Sequence, residues 1–172
     1  MNPLQRRVGM VTLLIVALLV ETAFFPHVRL FGVVPDVMIL AVAAVAAREG
    51  AEVGAAFGFT AGVLIDLFLE VPVGLSALSY TVVGYGIGTM HTGLMRSTWW
   101  LGPLLGGVAS ITAGTVFVLM GIILGQEHLL ALRSFLVIPS RALYDAVIAL
   151  AVFPLTSRLL GPAQDELSPY EP

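Results

Sequence analysis

Long apolar segments follow one another along this chain, separated only by short polar connections. Of the 172 residues, 58% are hydrophobic and 11% are charged. The mean hydropathy is +0.99, far outside the range of ordinary soluble domains. A helix that crosses the apolar core of a bilayer needs about 20 residues. The sequence therefore predicts an all-α polytopic membrane protein.

Six segments are apolar enough to be candidate transmembrane helices. In chain order they are residues 8–25, 34–47, 51–69, 73–90, 99–124 and 135–160. No connection between them is long enough to fold separately, so residues 1–161 are expected to form one six-helix integral membrane domain. The last segment could begin with an interfacial turn before Pro139. Residues 162–172 are polar, acidic and interrupted by proline, which predicts a disordered cytoplasmic tail.

The positions of the arginines predict the orientation, because cytoplasmic loops are enriched in positive charge. Arg6 and Arg7 precede the first apolar run, which we interpret as an uncleaved first span. With the N-terminus in the cytoplasm, an even number of spans returns the C-terminus there. The cytoplasmic arginines are then Arg6, Arg7, Arg48, Arg96 and Arg158, and those outside or near the outer surface are Arg29, Arg133 and Arg141.

Charge and residue usage exclude several classes of function. The net charge of −3 gives no basic patch, which argues against nucleic-acid binding. The chain has no cysteine, so it has no thiolate site. Its histidines, His27, His91 and His128, fall in separate connections and cannot easily form one metal site. We expect a protein that is not an enzyme and needs no cofactor.

The third segment carries a ladder of small residues that ends in carboxylates. In "GAAFGFTAGVLIDLFLE", Gly54, Gly58, Gly62, Asp66 and Glu70 recur every four residues. Residues four apart share a helix face, and glycine lets a second helix approach closely where lipid offers no hydrophobic drive. We predict that the three glycines serve helix packing and partner binding. Plain internal packing is the alternative reading.

Ionisable residues collect in the outer half of the predicted bundle. An Asp inside a span is costly and normally finds a partner. Asp66 and Arg141 fall at similar depth, and Asp145 shares a face with Arg141. We therefore predict a polar outer-half cluster with an ion pair between Asp66 and Arg141. In the alternative, Asp66 and Glu70 only reach the headgroups while Arg141 snorkels. The cluster comprises Asp36, Asp66, Arg141 and Asp145, with Glu21 and Glu70 nearby in depth.

Asp36 follows Pro35 where the second segment begins. Its side chain can accept from a free backbone N–H at the positive end of the helix dipole, so an N-cap is the favoured reading. Tyr80 and Tyr85 in the fourth segment could line a cavity, but buried or interfacial aromatics are the favoured reading. Small residues at four-residue spacing in the fourth and fifth segments also favour a compact bundle. They are Ser76, Gly84 and Gly88, and Gly102, Gly106, Ser110 and Gly114.

Three motifs in order resemble the MreD family of bacterial rod shape-determining membrane proteins. They are "VPDVMILAVAAVAAREG", "GAAFGFTAGVLIDLF" and "IPSRALYDAVIALAVFPL". The resemblance covers nearly the whole chain, and its most diagnostic parts are Pro35-Asp36, the glycine ladder ending in Asp66, and the final helix with Pro154. The chain departs from the family pattern in the last helix, where many members carry Asn and this chain has Asp145.

The resemblance implies a non-enzymatic scaffold of the cell-elongation complex in the bacterial inner membrane. Proteins of this family associate with MreC, and through it with MreB filaments, the polymerase RodA and its transpeptidase partner. It also implies a fold similar to the substrate-binding components of energy-coupling-factor vitamin transporters. A substrate-binding subunit of a vitamin or small-molecule transporter is therefore the alternative function.

Overall fold

The computed structural model describes residues 3–24, 33–68, 72–90, 100–125 and 132–161, and the regular elements in these ranges are six helices. The prediction of an all-α fold is confirmed, and each predicted segment overlaps one helix. The helices are α1 (Pro3–Leu19, continued by a π-helical turn, Val20–Phe24), α2 (Val37–Glu49), α3 (Ala51–Asp66), α4 (Leu75–Thr89), α5 (Leu101–Ile123) and α6 (Leu132–Leu160).

Three of the described helices are long and apolar enough to cross a membrane. They are Leu4–Phe24, Leu101–Ile123 and Val137–Leu160. The middle helices are shorter, with 13 residues in α2, 16 in α3 and 15 in α4. Because a helix rises about 1.5 Å per residue, these three are shorter than the bilayer core is thick.

The second helix forms the centre of the bundle. Residues Met38–Ala46 on successive turns of α2 are at most 1% exposed. Helix α2 contacts each of the five other helices. An all-round apolar helix is typical of a buried core element, and the alanine-rich sequence of α2 keeps it thin enough to be surrounded.

Two antiparallel helix pairs pack around α2. Glycines of α3 face the backbone of α4, with Gly54 against Gly84 and Gly62 against Ser76 and Ala77. Glycines of α5 face α6 in the same way, with Gly106 against Ala149. The predicted compact packing through small residues therefore agrees with the structure. Glycine at these positions lets two backbones approach to distances that a Cβ would prevent.

A different set of charged side chains lies at each end of the bundle. At one end, Arg6 Nη1 of α1 lies 3.1 Å from Glu49 Oε2 at the end of α2, and both side chains are buried. At the same end, Arg48 donates to the carbonyl oxygen of Gly161, just after α6. We call this the Arg6 end. The opposite end, where α2 and α4 begin, is called the Asp36 end.

The last helix is continuous through Pro139, before which the sequence left open a separate interfacial turn. Helix α6 begins at Leu132 and contains both Pro139 and Pro154, so no separate interfacial turn precedes Pro139. The predictions about the histidines, Glu70 and the tail after Gly161 concern residues outside the described ranges.

Candidate functional site

Polar side chains from four parts of the fold meet at the Asp36 end. We call this group the Asp36 cluster. Its members are Glu21 in the turn after α1, Asp36 before α2, Tyr80 on α4, and Arg141 and Asp145 on α6. Asp36, Tyr80 and Asp145 are each at most 5% exposed. Polar atoms buried this deeply need partners within the protein.

Asp36 caps the helix that it precedes. Its Oδ1 accepts from the backbone N–H of Ile39 at 2.9 Å, the N3 position of α2. This is the geometry predicted from the Pro-Asp sequence, and the N-cap is confirmed. The Tyr80 hydroxyl also lies 2.8 Å from Asp36 Oδ1 and 2.7 Å from Oδ2, so it donates to this carboxylate. One side chain therefore joins the start of α2 to α4.

Two further carboxylates bind the same helix N-terminus. Asp145 Oδ1 accepts from the backbone N–H of Asp36 at 2.8 Å, and Glu21 Oε2 accepts from the N–H of Met38 at 2.9 Å. The first N–H groups of a helix have no partner within the helix, and they form its positive dipole end. Three acidic side chains therefore accept from three N–H groups at the start of α2.

Arg141 supplies the one guanidinium in the described part of the cluster. Its Nη2 lies 2.8 Å from Asp36 Oδ2, a charge-assisted contact, while its Nε lies 3.9 Å from Asp145 Oδ2. The Arg141 side chain is 34% exposed, so it reaches from the protein surface to the buried start of α2. The prediction that Arg141 and Asp145 face the same neighbour is correct, and that neighbour is Asp36.

The predicted ion pair between Asp66 and Arg141 is wrong. Asp66 is 1% exposed, and its Oδ2 accepts from the N–H of Gly74 at 2.7 Å while its Oδ1 accepts from that of Ser76 at 3.1 Å. It therefore caps α4, whose own N-cap residue, Gly74, has no side chain to do so. The position of Asp66 along α3 predicted a polar partner. The structure provides backbone N–H groups at the start of α4 as that partner, instead of Arg141.

The glycine ladder faces the inside of the same chain. A Cβ on Gly54 would lie 2.6 Å from the Gly84 carbonyl oxygen, and one on Gly58 would lie 2.8 Å from the Tyr80 carbonyl carbon. Gly62 approaches the α4 backbone just as closely. All three glycines face the backbone of α4. Because α4 covers the glycine face of α3, this face is not open to a partner helix. A direct role of the glycines in partner binding stays a prediction.

Sequence reasoning missed the roles of Glu21 and Tyr80. Glu21 was recognised only by its depth, and Tyr80 only as an aromatic to be buried. One signal pointed to Tyr80: a hydroxyl in the middle of an apolar, small-residue stripe needs a hydrogen-bond partner when it is buried. Nothing in the sequence paired either residue with the start of α2.

The chemistry of the cluster is that of a structural junction. Its carboxylates accept from backbone N–H groups, from Tyr80 and from Arg141, and these contacts join α1, α2, α4 and α6. Among the described residues, no three acidic or histidine side chains are placed to hold a metal ion.

Comparison with protein families identifies the chain. The model for the rod shape-determining protein MreD matches residues 4–161, nearly the whole sequence. The chain belongs to the MreD family. It is therefore a membrane protein of bacterial rod-shape determination, consistent with its long apolar helices. No curated protein and no solved structure matches this chain. Its predicted similarity in fold to the substrate-binding components of vitamin transporters therefore stays a prediction.

Proposed function

We propose that this MreD-family chain is a non-enzymatic membrane scaffold of the cell-elongation complex that binds MreC. Through MreC it would contact MreB filaments, RodA and the transpeptidase partner of RodA. The match to the MreD family over residues 4–161 is the observation that carries this proposal. Scaffolding requires a rigid body in the membrane that holds partner surfaces in fixed positions.

The internal contacts support a rigid body. Charged side chains at both ends join different helices, with Arg6 and Glu49 at one end and Asp36 and Arg141 at the other. Close backbone packing between α3 and α4 joins the middle. A bundle fastened in this way uses its buried polar groups for its own structure, so we place partner binding on the outer helix faces.

We further propose that all six helices cross the inner membrane, with both termini in the cytoplasm. The antiparallel order of neighbouring helices supports this, because Arg6 near the start of α1 meets Glu49 at the end of α2. Helices α2, α3 and α4 are short, but they are surrounded by longer helices. Local thinning of the bilayer would let them cross its apolar core.

Native mass spectrometry of the gently purified full-length chain tests the proposed function. Co-expressed with MreC, the chain is expected to be released as a complex that contains MreC. A stoichiometric small molecule in place of MreC would contradict the scaffold and favour the transporter subunit. A tagged membrane protein of unrelated fold, expressed with MreC at the same level, controls for nonspecific capture.

A matched pair of leucine variants separates direct from indirect effects of the glycine ladder. Gly58 faces the α4 backbone, whereas a Cβ on Gly86 would meet nothing within 4 Å. We expect Gly58→Leu to lose MreC capture and folding together, because α3 and α4 are forced apart. Gly86→Leu is expected to retain folding. A Gly58→Leu protein that folds normally but fails to bind MreC would instead show that the ladder contacts the partner.

A further inference from the structure

Three buried polar atoms near the Asp36 end make no hydrogen bond within the protein. They are Ser110 Oγ on α5, and Arg141 Nε and Asp145 Oδ2 on α6, and none has a hydrogen-bond partner among the described residues. Ser110 is 4% exposed and Asp145 is 0% exposed. A buried polar atom without a partner is costly, so three of them on two neighbouring helices point to a partner that they share.

The hydroxyl group of Ser110 differs from other hydroxyl groups on these helices. Those of Ser79, Thr115 and Thr156 each donate to the carbonyl oxygen four residues before, in their own helix. Such a bond satisfies a hydroxyl group inside an apolar bundle. Ser110 Oγ makes no corresponding bond to the carbonyl oxygen of Gly106. Its hydroxyl group is therefore available to a group outside α5.

The glycines on either side of Ser110 show which part of α6 it faces. One turn before it, a Cβ on Gly106 would lie 3.4 Å from the Asp145 carbonyl oxygen. One turn after it, a Cβ on Gly114 would lie 3.3 Å from the Ile138 side chain. Because residues four apart share a helix face, Ser110 faces the α6 turn between these two contacts. That turn carries the other two unpartnered atoms.

Asp36 holds the two atoms on α6 apart. Arg141 Nη2 contacts Asp36 Oδ2 at 2.8 Å, and Asp145 Oδ1 accepts from the Asp36 N–H at 2.8 Å. With both side chains fixed on the same residue, Arg141 Nε lies 3.9 Å from Asp145 Oδ2, too far for a direct hydrogen bond. Closing this gap would strain one of the two shorter contacts. A polar contact of such length is typical of groups bridged by water.

We propose that Ser110, Arg141 and Asp145 form a binding site for one buried water molecule between α5 and α6. Arg141 Nε–H and the Ser110 hydroxyl group donate to the water oxygen, and the water donates to Asp145 Oδ2. These three bonds match the two donors and the one acceptor that the site offers. A buried water typically makes about three hydrogen bonds to polar groups that have no other partner.

The water would connect α5 to the Asp36 cluster. The direct polar contacts of that cluster join α1, α2, α4 and α6. Through the water, Ser110 adds a polar contact from α5 to the same junction. A structure of the full-length protein in a nanodisc, at a resolution that shows ordered waters, tests the site. A density peak is expected about 2.7 to 3.2 Å from Ser110 Oγ, Arg141 Nε and Asp145 Oδ2.

The melting temperature of Ser110→Ala provides a second test. With the water as its partner, the hydroxyl group stabilises the fold, so Ser110→Ala should melt at a lower temperature than the wild type. Ser79→Ala, at a buried hydroxyl group that bonds within α4, is the matched control and should lower the melting temperature less.

Two results would overturn the proposal. One is a wild-type structure in which Ser110 Oγ or Arg141 Nε bonds directly to Asp145 Oδ2 and no peak lies between the three atoms. The other is a higher melting temperature for Ser110→Ala, because removing a hydroxyl group that has no partner relieves its cost. The wild-type structure decides the question even if a variant does not fold.

Discussion

Arg141 Nη2 lies 2.8 Å from Asp36 Oδ2 and thereby joins the last helix of the chain to the start of the central one. The two residues are separated by more than a hundred positions in sequence. Asp36 accepts in addition from Ile39 and Tyr80, so the pair is part of a network rather than an isolated contact.

Removing the guanidinium should destabilise the bundle. In Arg141→Gln the buried carboxylate of Asp36 loses its counter-ion, and we expect a loss of about 3 kcal/mol in the free energy of unfolding. This is the low end for a broken buried pair, because the Arg141 side chain is 34% exposed. Denaturant unfolding of the detergent-solubilised protein measures the loss.

The double variant Asp36→Asn with Arg141→Gln provides the control for this pair. Asn is a good N-cap and can still accept from Ile39 and Tyr80, but it needs no counter-ion. The double variant should therefore recover part of the stability that Arg141→Gln loses. A double variant less stable than either single variant would show that the charge pair does not stabilise the junction.

Asp66 should prove energetically independent of Arg141. Asp66→Ala leaves the N–H groups of Gly74 and Ser76 without acceptors and is expected to cost about 1 to 2 kcal/mol, the range for loss of an N-cap. Glu52→Ala, at an exposed position of α3, should change stability little.

A double-mutant cycle checks this independence. Asp66→Ala and Arg141→Gln should be additive within about 0.5 kcal/mol, since the two residues share no partner. The charge swap Asp66→Arg with Arg141→Asp should recover nothing. A recovery in the swap, or a coupling energy as large as that between Asp36 and Arg141, would restore the ion pair predicted from sequence.

A single methyl group should distinguish the packed and open glycines. In Gly54→Ala the new Cβ would lie 2.6 Å from the Gly84 carbonyl oxygen, so we expect a loss of about 1 to 3 kcal/mol. Gly86→Ala has open space and should gain up to about 1 kcal/mol from helix propensity. Thermal unfolding of both variants makes the comparison, and equal losses would contradict the α3–α4 contact.

The proposed topology can be tested with single cysteines, because the chain has none of its own. A cysteine at His128, in a predicted outer connection, should react with a membrane-impermeant thiol reagent in intact cells. A cysteine at Gln164 in the predicted cytoplasmic tail should react only after the cells are permeabilised. Labelling of Gln164→Cys in intact cells would place the C-terminus outside.

Local features of the fold could be predicted from the sequence because they depend on near neighbours. Apolar segments gave six helices, although α1 begins five residues before the predicted start. Four-residue glycine spacing indicated close packing, and Pro35-Asp36 indicated a helix N-cap. These patterns reflect helix periodicity and the local hydrogen-bonding needs of a helix start, which act within a few residues.

The partners of the buried charges could not be predicted in the same way. Depth along each helix placed Asp66 and Arg141 near each other, but depth says nothing about rotation or lateral position around the bundle. Asp66 faces α4 because the glycine ladder brings that helix against α3. Arg141 reaches Asp36 because α2 lies in the centre.

Sequence alone thus determined the membrane class, the helices and the family resemblance, since apolar length and residue spacing are properties of the chain itself. Only the tertiary structure decided that Glu21, Asp36 and Asp145 share one helix N-terminus and that the glycine ladder is internal. The physical reason is that in an apolar interior a polar group binds whichever complementary group the packing brings within about 3 Å, and packing depends on the whole bundle.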